Sequence, residues 1–485
     1  MSAWGECLRR FTIYDKVLIL IFVLSLPLSN PWVRGDGVGY YAFARTLLIE
    51  HRLDFRRDWL QANTSFQMGR VDDSGRIRPE EFTATGHLNN HFAVGPAMLW
   101  FPVLLAVHVG VLLYDGLGGK IAADGFSKPY LAAVGFATEL YGFLALFLAF
   151  RMARKYVGEQ WAFLAALGIW FGSSLPVYMY LNPSWAHAPS AFGVALFLWY
   201  WDRTRQARSW SEWLVLGALG GLMLDLYYLN VVLLVFPLAD LLQFARPGLR
   251  NSASNPISPA IYNGAGFAAA AFAAFLPTLI TKKIIYGSYL NFGYVERWFW
   301  NSPAFLKVCF SSDHGLFTWT PILIAAVAGL FLLWRYDRLL AACSILAFAM
   351  FLYLLGCYQD WHGISSFGSR FFVSLTALFV VGLAAVFDFL ANRLRERNAW
   401  ALAASLTAIF AVWNTGLMFQ WGTHLIPSRG PISWRAAAYN QVAVVPEEAA
   451  GVVKAYLTGR HALMNRIEEE DVEQLKSETN SGEKR

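Results

Sequence analysis

Charge is what this sequence has least of. Lys, Arg, Asp and Glu together make up 15% of its 485 residues, against about 25% in a soluble domain, so most of the chain does not face water. A soluble enzyme and a disordered scaffold are both poor fits. Cysteine is equally sparse: Cys7, Cys309, Cys343 and Cys357 show no CxxC spacing and lie mostly in apolar contexts, which argues against a zinc site and a disulfide framework. There is no Walker A motif and no internal repeat. Gly35-Asp-Gly-Val-Gly39 does not follow a strand, so a phosphate loop is not indicated either. The excess of base is small, 39 Lys and Arg against 33 Asp and Glu for a net charge of +6. Those cations sit between apolar runs and not along one polar face, which points to membrane topology and away from nucleic acid.

Long apolar runs are what the chain has in abundance. A membrane-crossing helix needs about 20 apolar residues, and about eleven segments qualify: 14–33, 129–150, 160–181, 188–202, 211–228, 229–244, 259–280, 316–334, 339–357, 371–391 and 399–420. The expected fold is an all-α polytopic membrane protein. The first run has no small-residue cleavage site and carries Arg9, Arg10 and Lys16 at its start, so it reads as a retained helix with a cytoplasmic N-terminus. A further run, 93–114, is decided by charge. If it does not span, the basic segments Arg151/Arg154/Lys155, Arg203/Arg205/Arg208, Arg246/Arg250, Arg335/Arg338 and Arg393/Arg395/Arg397 all share the side of the N-terminus. If it spans, all of them move outside, against the positive-inside rule. Residues 93–114 are therefore expected to form a juxtamembrane helix at the outer interface. They belong to a large external first loop, 34–128, of a transmembrane domain covering 1–425. The remaining 426–485 form a short external tail, whose charged, aromatic-free end from Arg466 is expected to be disordered or a frayed helix.

With that topology the unusual polar residues collect outside. Arg34-Gly-Asp-Gly-Val-Gly-Tyr-Tyr41 lies where the first span reaches the outer interface. Its glycines would let backbone approach a ligand, making Asp36 a candidate general base with Tyr40 and Tyr41 beside it; Asp36 could equally cap the helix Val38–Glu50. Leu181-Asn-Pro-Ser-Trp-Ala-His187 closes the third run, where Pro183 ends the helix and leaves Asn182 and His187 facing a cavity. A lone His is also commonly structural. Ser311-Ser-Asp-His314 precedes an apolar run, so Asp313 and His314 sit either in an anion site at a helix N-terminus or in an elaborate N-cap. Asp360-Trp-His-Gly-Ile-Ser-Ser-Phe-Gly-Ser-Arg370 brings Asp360, His362 and Arg370 to the outer interface, where a guanidinium can hold a phosphate bidentately or snorkel to bilayer phosphates. Arg297-Trp-Phe-Trp300 reads as an interfacial aromatic belt. Arg45, Arg52, Arg56 and Arg57 read as a solvated or headgroup-facing helix surface. His87 and His91 come nearest to a ligand pair but lie in a loop with Gly86 and Asn89-Asn90, so no metal or other cofactor is expected to be required.

The external Asp36 after the first helix, the Tyr40-Tyr41 that follows, and Gly95-Pro96-Ala97 in the juxtamembrane helix resemble the GT-C glycosyltransferases. Within that superfamily the chain is most similar to a bacterial branch related to protein O-mannosyltransferases and to the aminoarabinose transferases that modify lipid A. The blocks Ser311–Pro321 and Trp361–Phe371 look like signature segments of a subgroup of that branch, and the resemblance covers about residues 10–425. It implies a bundle of about eleven spans in the bacterial inner membrane with the active site extracytoplasmic. It also implies an enzyme that takes a sugar from a polyprenyl-phosphate donor and passes it to an acceptor hydroxyl on a protein, lipid or glycan. By the same resemblance Asp36 is the base that deprotonates the acceptor; as charge develops on the departing phosphate, Arg370, His314 and Arg297 are the groups expected to stabilise it. Tyr40, Tyr41, His91, Asn182, His187, Asp313, Asp360 and His362 are expected to line the substrate cavity. The chain departs from its relatives in two places. Gly37 follows Asp36 where relatives often carry a second acidic residue, and Asn182 stands where an acidic residue commonly precedes the Pro.

Two other functions compete. A transporter or flippase of a lipid-linked substrate would carry inverted repeats and helices broken at matching positions in two halves, and neither is present; Asp225, near Tyr227 and Tyr228, is its one candidate midplane residue. A glycan polymerase or ligase would use the same class of donor on a different fold.

Overall fold

The structure, a computed structural model, describes residues 11–244 and 257–482. Cys7, Arg9, Arg10, Arg246 and Arg250 lie outside the described residues. Each of the eleven apolar runs contains helix, and among the described residues strand pairing is limited to isolated bridges. The principal helices are α1 (Ile13–Ser25), α2 (Asp36–Arg45), α3 (Gly95–Gly116), α4 (Lys128–Ala153), α5 (Glu159–Gly172), α6 (His187–Thr204), α7 (Trp210–Leu226) and α8 (Val235–Phe244). They continue with α9 (Ile257–Tyr286), α10 (Ile322–Leu332), α11 (Arg338–Cys357), α12 (Thr376–Ala391) and α13 (Glu396–Gly422). The chain then closes with α14 (Trp434–Val442), α15 (Val444–Thr458) and α16 (Arg460–Gly482). Among the described residues six segments are long and apolar enough to cross a membrane: Gly95–Gly116, Lys128–Ala153, Pro259–Tyr286, Arg338–Cys357, Arg370–Ala391 and Glu396–Gly422. The other runs fold as shorter pieces. The first run, for example, stops being α-helical at Ser25, where Pro27 enters a 3-10 turn, Leu26–Leu28.

One end of the bundle is ionic. Thr12 and Asp15 form a capping box that starts α1, and Asp15, fully buried, also meets Arg151 at 2.9 Å and Arg154 at 3.4 Å. Lys155 reaches Asp202 at 2.9 Å, Arg205 pairs with Asp337, and Arg208 meets Asp240 at 3.0 Å. Arg335 and Arg393 stack on Phe389. The described basic segments are thus gathered at one end, as a common side for them requires. The polar motifs around Asp36, Asn182 and Arg370 share a cavity lined also by Asn30, from the opposite end of the first apolar run.

α3 is long enough to span, yet its packing is offset from its neighbour. It runs antiparallel to α4: Tyr141 donates to the Leu99 carbonyl at 2.8 Å, Trp100 donates to Thr138 at 2.9 Å, and His108 pairs with Tyr130 at 2.6 Å. It therefore overlaps only the half of α4 toward Lys128. Its last residues, Val109–Gly116, run about 12 Å past that level at 1.5 Å per residue. Inside lipid such interhelical bonds and close packing, each worth about 0.6–2 kcal/mol, hold helices together.

α2 is anchored by a buried cation that reads from the sequence as solvated. The Arg45 side chain is fully buried and forks onto Asp58, Nε to Oδ1 at 2.6 Å and Nη2 to Oδ2 at 2.5 Å, with Glu50 at 2.9 Å. Arg52, Arg56 and Arg57 do remain exposed. Removing one partner of a buried pair strands the other charge. Asp58→Ala is expected to cost about 3 kcal/mol, the lower end of that effect because Glu50 remains, read as a lowered melting temperature in detergent.

The tail is ordered. α14, α15 and α16 fold back against α13 and the first loop, with Arg460 donating to the carbonyls of Pro27 and Ser29 and Tyr456 to that of Leu28 at 2.7 Å. The disordered or frayed end expected from Arg466 is instead a helix whose polar face has partners.

Candidate active site

Asp36 is the first residue of α2, and it does not cap the helix. The N-cap is Gly35, at φ +53°, and no side chain closes that end. A residue at positive φ is needed there to turn the chain from the irregular segment 31–34 into α2, which favours glycine. Gly37 has a packing role: a Cβ on it would lie 2.0 Å from Ser184 Oγ. The glycines thus seat α2 against the turn after α5, where the sequence suggested an approach to ligand. Freed from capping, the Asp36 carboxylate meets Arg370, whose Nη1 donates to Oδ2 at 2.7 Å.

Arg370 reaches this point because Gly363 and Gly368 turn the segment 358–369 inward ahead of α12. Its guanidinium lies 4.5 Å over the Trp185 ring, and the Trp185 indole donates to the Arg34 carbonyl at 3.1 Å. The Arg370 side chain is 12% exposed and that of Asp36 32%, so the arginine does not snorkel outward. Its Nε has no hydrogen-bond partner. The planar fork holds Asp36 through Nη1, and since Nε is buried, the remaining Nη hydrogens are the ones left for a second anion.

The pair opens onto a cavity of about 610 Å³, inside the range of about 300–1,000 Å³ typical of small-molecule sites. Its polar end carries Arg34, Asp36, Arg70, Asn182, Arg370 and His424. Most of the remaining lining is apolar, including Leu28, Phe171, Leu181, Met418 and Phe419 and, from α15 and α16, Leu457, Ile467 and Leu475, with Asn30, Thr415, Ser428 and Arg429 among the polar exceptions. A ligand with a charged head and a hydrocarbon tail matches that division.

The other residues singled out in the sequence are distributed unevenly. Asn182 lines the cavity. Tyr40 packs on Phe92 with ring centroids 4.8 Å apart, and His91 stacks on Phe92 at 4.2 Å and on Tyr294 at 5.1 Å. These rings sit near the carboxylate, since the Asp36 charge helps raise the Tyr40 hydroxyl, where burial dominates, and partly offsets the burial that pushes His91 down to about 4. Tyr41 points elsewhere, its hydroxyl donating to the Gly125 carbonyl at 2.5 Å. His187 is buried among Tyr178, Tyr227 and Phe371. Asp313 lies 3.6 Å from His314 and 3.9 Å from His362.

His314 lies outside the cavity lining. It is buried against Trp319 at φ +58°, and burial, with the charges of His362 and Arg370, pushes it down to about 3. Arg297 is exposed beside the stacked Trp298 and Trp300 and outside the cavity lining, with its backbone bonded to Gln359. Asp360 is half-buried at the loop surface and also lies outside the lining. Asp225 accepts from Thr278 at 2.5 Å at the end of α7. Among the described residues no three His, Cys, Asp or Glu side chains form a group able to hold a metal ion.

Sequence reasoning missed the C-terminal wall. Arg34 pairs with Asp471 and lies 3.5 Å from Glu468. His424, at φ +55°, meets Asp471 at 3.0 Å and Glu470 at 2.8 Å. The signal available was Leu463, Ile467, Asp471 and Leu475, a four-residue spacing that puts one stripe on a helix face. Burial alone would lower His424, but the Asp471 hydrogen bond and the charges of Asp471 and Glu470 raise it on balance. A raised His stabilises docking fully below its unfolded value, about 6.5, and that contribution disappears as pH climbs through the raised one. Hydrogen exchange of α16, corrected for the intrinsic rate at each pH, is therefore expected to quicken as pH rises above about 6.5, and His424→Gln to flatten that dependence.

Neither a protein-family model nor a curated protein matches the chain. Among solved structures it is similar to the oligosaccharyltransferase of Archaeoglobus fulgidus in complex with Zn and sulfate, at 14% identity and TM-score 0.44 over 85% of this chain and 55% of that one. It is similar to ArnT from Cupriavidus metallidurans in the apo state, at 16% identity and TM-score 0.47 over 96% and 74% of the two chains. A third is the archaeal oligosaccharyltransferase AglB from Archaeoglobus fulgidus in complex with an inhibitory peptide and a dolichol-phosphate, at 14% identity and TM-score 0.45 over 88% and 59%. The chain spans little more than half the length of the oligosaccharyltransferases it matches. At these identities and TM-scores the function of the chain rests on its own residues.

Proposed function

We propose that this protein is an integral-membrane glycosyltransferase that moves a sugar from a polyprenyl-phosphate donor to an acceptor hydroxyl on the extracytoplasmic side of a bacterial inner membrane. The observation that carries this reading is the Asp36–Arg370 pair on a cavity whose lining is otherwise mostly apolar. A polyprenyl tail gains about 0.8 kcal/mol for each methylene it buries, and the apolar walls suit it.

The chemistry follows from the two side chains. One Asp36 oxygen is held by Arg370, leaving the other to accept the proton of the acceptor hydroxyl. The acceptor oxygen bonds to the anomeric carbon while the bond from that carbon to the phosphate oxygen breaks, and the electron pair leaves with polyprenyl phosphate. Charge grows on that phosphate as the bond lengthens, and the unpartnered donors of Arg370 stabilise it. The basic segments gathered at the opposite end support this orientation: with them in the cytoplasm, the cavity opens on the far side. The Asp36–Arg370 pair shares one cavity with the other charged side chains of the lining, and Asp225 lies outside that lining, which favours an enzyme over a transporter.

The test is to incubate the purified protein with a panel of polyprenyl-phosphate sugars and follow release of lipid phosphate. Release with at least one donor is expected. No release with any of them, in the presence of protein, lipid and glycan acceptors, would reject the reading.

A further inference from the structure

We infer that Glu468, on the C-terminal helix α16, is a positioning residue for Asp36, so that the end of the chain completes the active site. The inference builds on the role proposed for Asp36, and its geometry stands independently. Glu468 Oε1 accepts the Ser65 backbone N–H at 2.6 Å, and its two carboxylate oxygens accept from Asn63 Nδ2 at 3.0 and 3.1 Å. The same Asn63 nitrogen donates to Ser65 Oγ at 2.7 Å. On its other side Asn63 Oδ1 accepts the Gly35 N–H at 3.2 Å. Gly35 is the left-handed residue whose turn aims Asp36 at Arg370.

The chemistry of the groups fixes the direction of this relay. An ionised carboxylate only accepts hydrogen bonds, whereas an amide has one donating and one accepting end. Glu468 therefore makes Asn63 present its NH₂ to α16 and its oxygen to Gly35. If the amide turned over, two donors would face each other at Gly35, and the N–H that holds the turn would lose its acceptor. The Arg34–Asp471 pair and the Trp185 bond to the Arg34 carbonyl hold the preceding residue, so Asn63 controls what freedom is left at Gly35.

A reciprocal exchange tests this. In E468Q the new amide places a donor against the Asn63 NH₂, and in N63D two carboxylates face one another. Each single variant should lose kcat for transfer, by up to about 100-fold for a misaimed reacting group, with little change in donor KM. In the N63D/E468Q double variant the glutamine amide donates to the new carboxylate and accepts from Ser65, while that carboxylate still accepts from Gly35. The double variant should therefore regain most of the lost kcat. Hydrogen exchange at the Gly35 amide, measured on the full-length protein without substrate, should speed up in each single variant and slow again in the pair. Wild-type kcat and Gly35 exchange in the single variants would overturn the proposal, as would a double variant no better than the worse single one. If the wild-type protein transfers from no donor, the glycosyltransferase reading fails, and the exchange data alone decide the role of Glu468.

Discussion

Asp36→Asn should lower sugar transfer by about 100- to 10,000-fold, the range attached to loss of a positioned general base, while donor binding stays near wild type. The substitution is close to isosteric, so Arg370 can still donate to the amide oxygen and the α2 start keeps its Gly35 turn. The base is what disappears: an amide cannot accept the acceptor proton near neutrality. Glutamate at this position is a weaker test, because its longer arm would push on Arg370 across a gap already at 2.7 Å. The measurement is single-turnover transfer beside equilibrium donor binding on the same preparations. Transfer at the wild-type rate would remove Asp36 from proton transfer and leave it as a counterion to Arg370.

The helical membrane character was legible because it is local. Hydropathy over a window of residues decides whether a segment helps fill a bundle, and each of the eleven runs does contain helix. The clustering of polar motifs at one end was legible for the same reason, since the basic segments mark the other. What the sequence did not reveal depends on long-range contact. Asp36 and Arg370 are 334 positions apart, and each alone has an ordinary explanation, a helix cap in one case and a snorkelling cation in the other. The acidic run Glu468–Asp471 reads as a solvated end until Arg34, Asn63, Ser65 and His424 are brought against it. His314 reads from the sequence as part of an anion site or a cap at a helix N-terminus, and its burial against Trp319 depends on contacts that the local motif does not contain. Arg45 shows the reverse case: a residue type that is nearly always solvated lies fully buried because Asp58 supplies a forked partner 13 residues on.

Arg370→Ala is expected to act on the donor first. Deleting one preorganised donor to developing charge costs about 100- to 1,000-fold in rate, and here the same group also binds the ground-state phosphate, so donor affinity should fall along with kcat. Arg370→Lys separates these contributions. A lysine ammonium is a single point charge without the planar fork, so it can satisfy Asp36 or the phosphate but not both in the geometry Arg370 adopts over Trp185. The lysine variant should therefore recover part of the donor affinity and little of kcat. A complication in both variants is that Asp36 loses its partner. Asp36→Asn in the Arg370→Ala background measures that coupling: if the arginine acts mainly by holding the base, the second substitution adds little, whereas independent roles make the losses multiply. Donor affinity unchanged in Arg370→Ala would take the arginine out of the phosphate site and leave the lipid head without a cation directly beside Asp36.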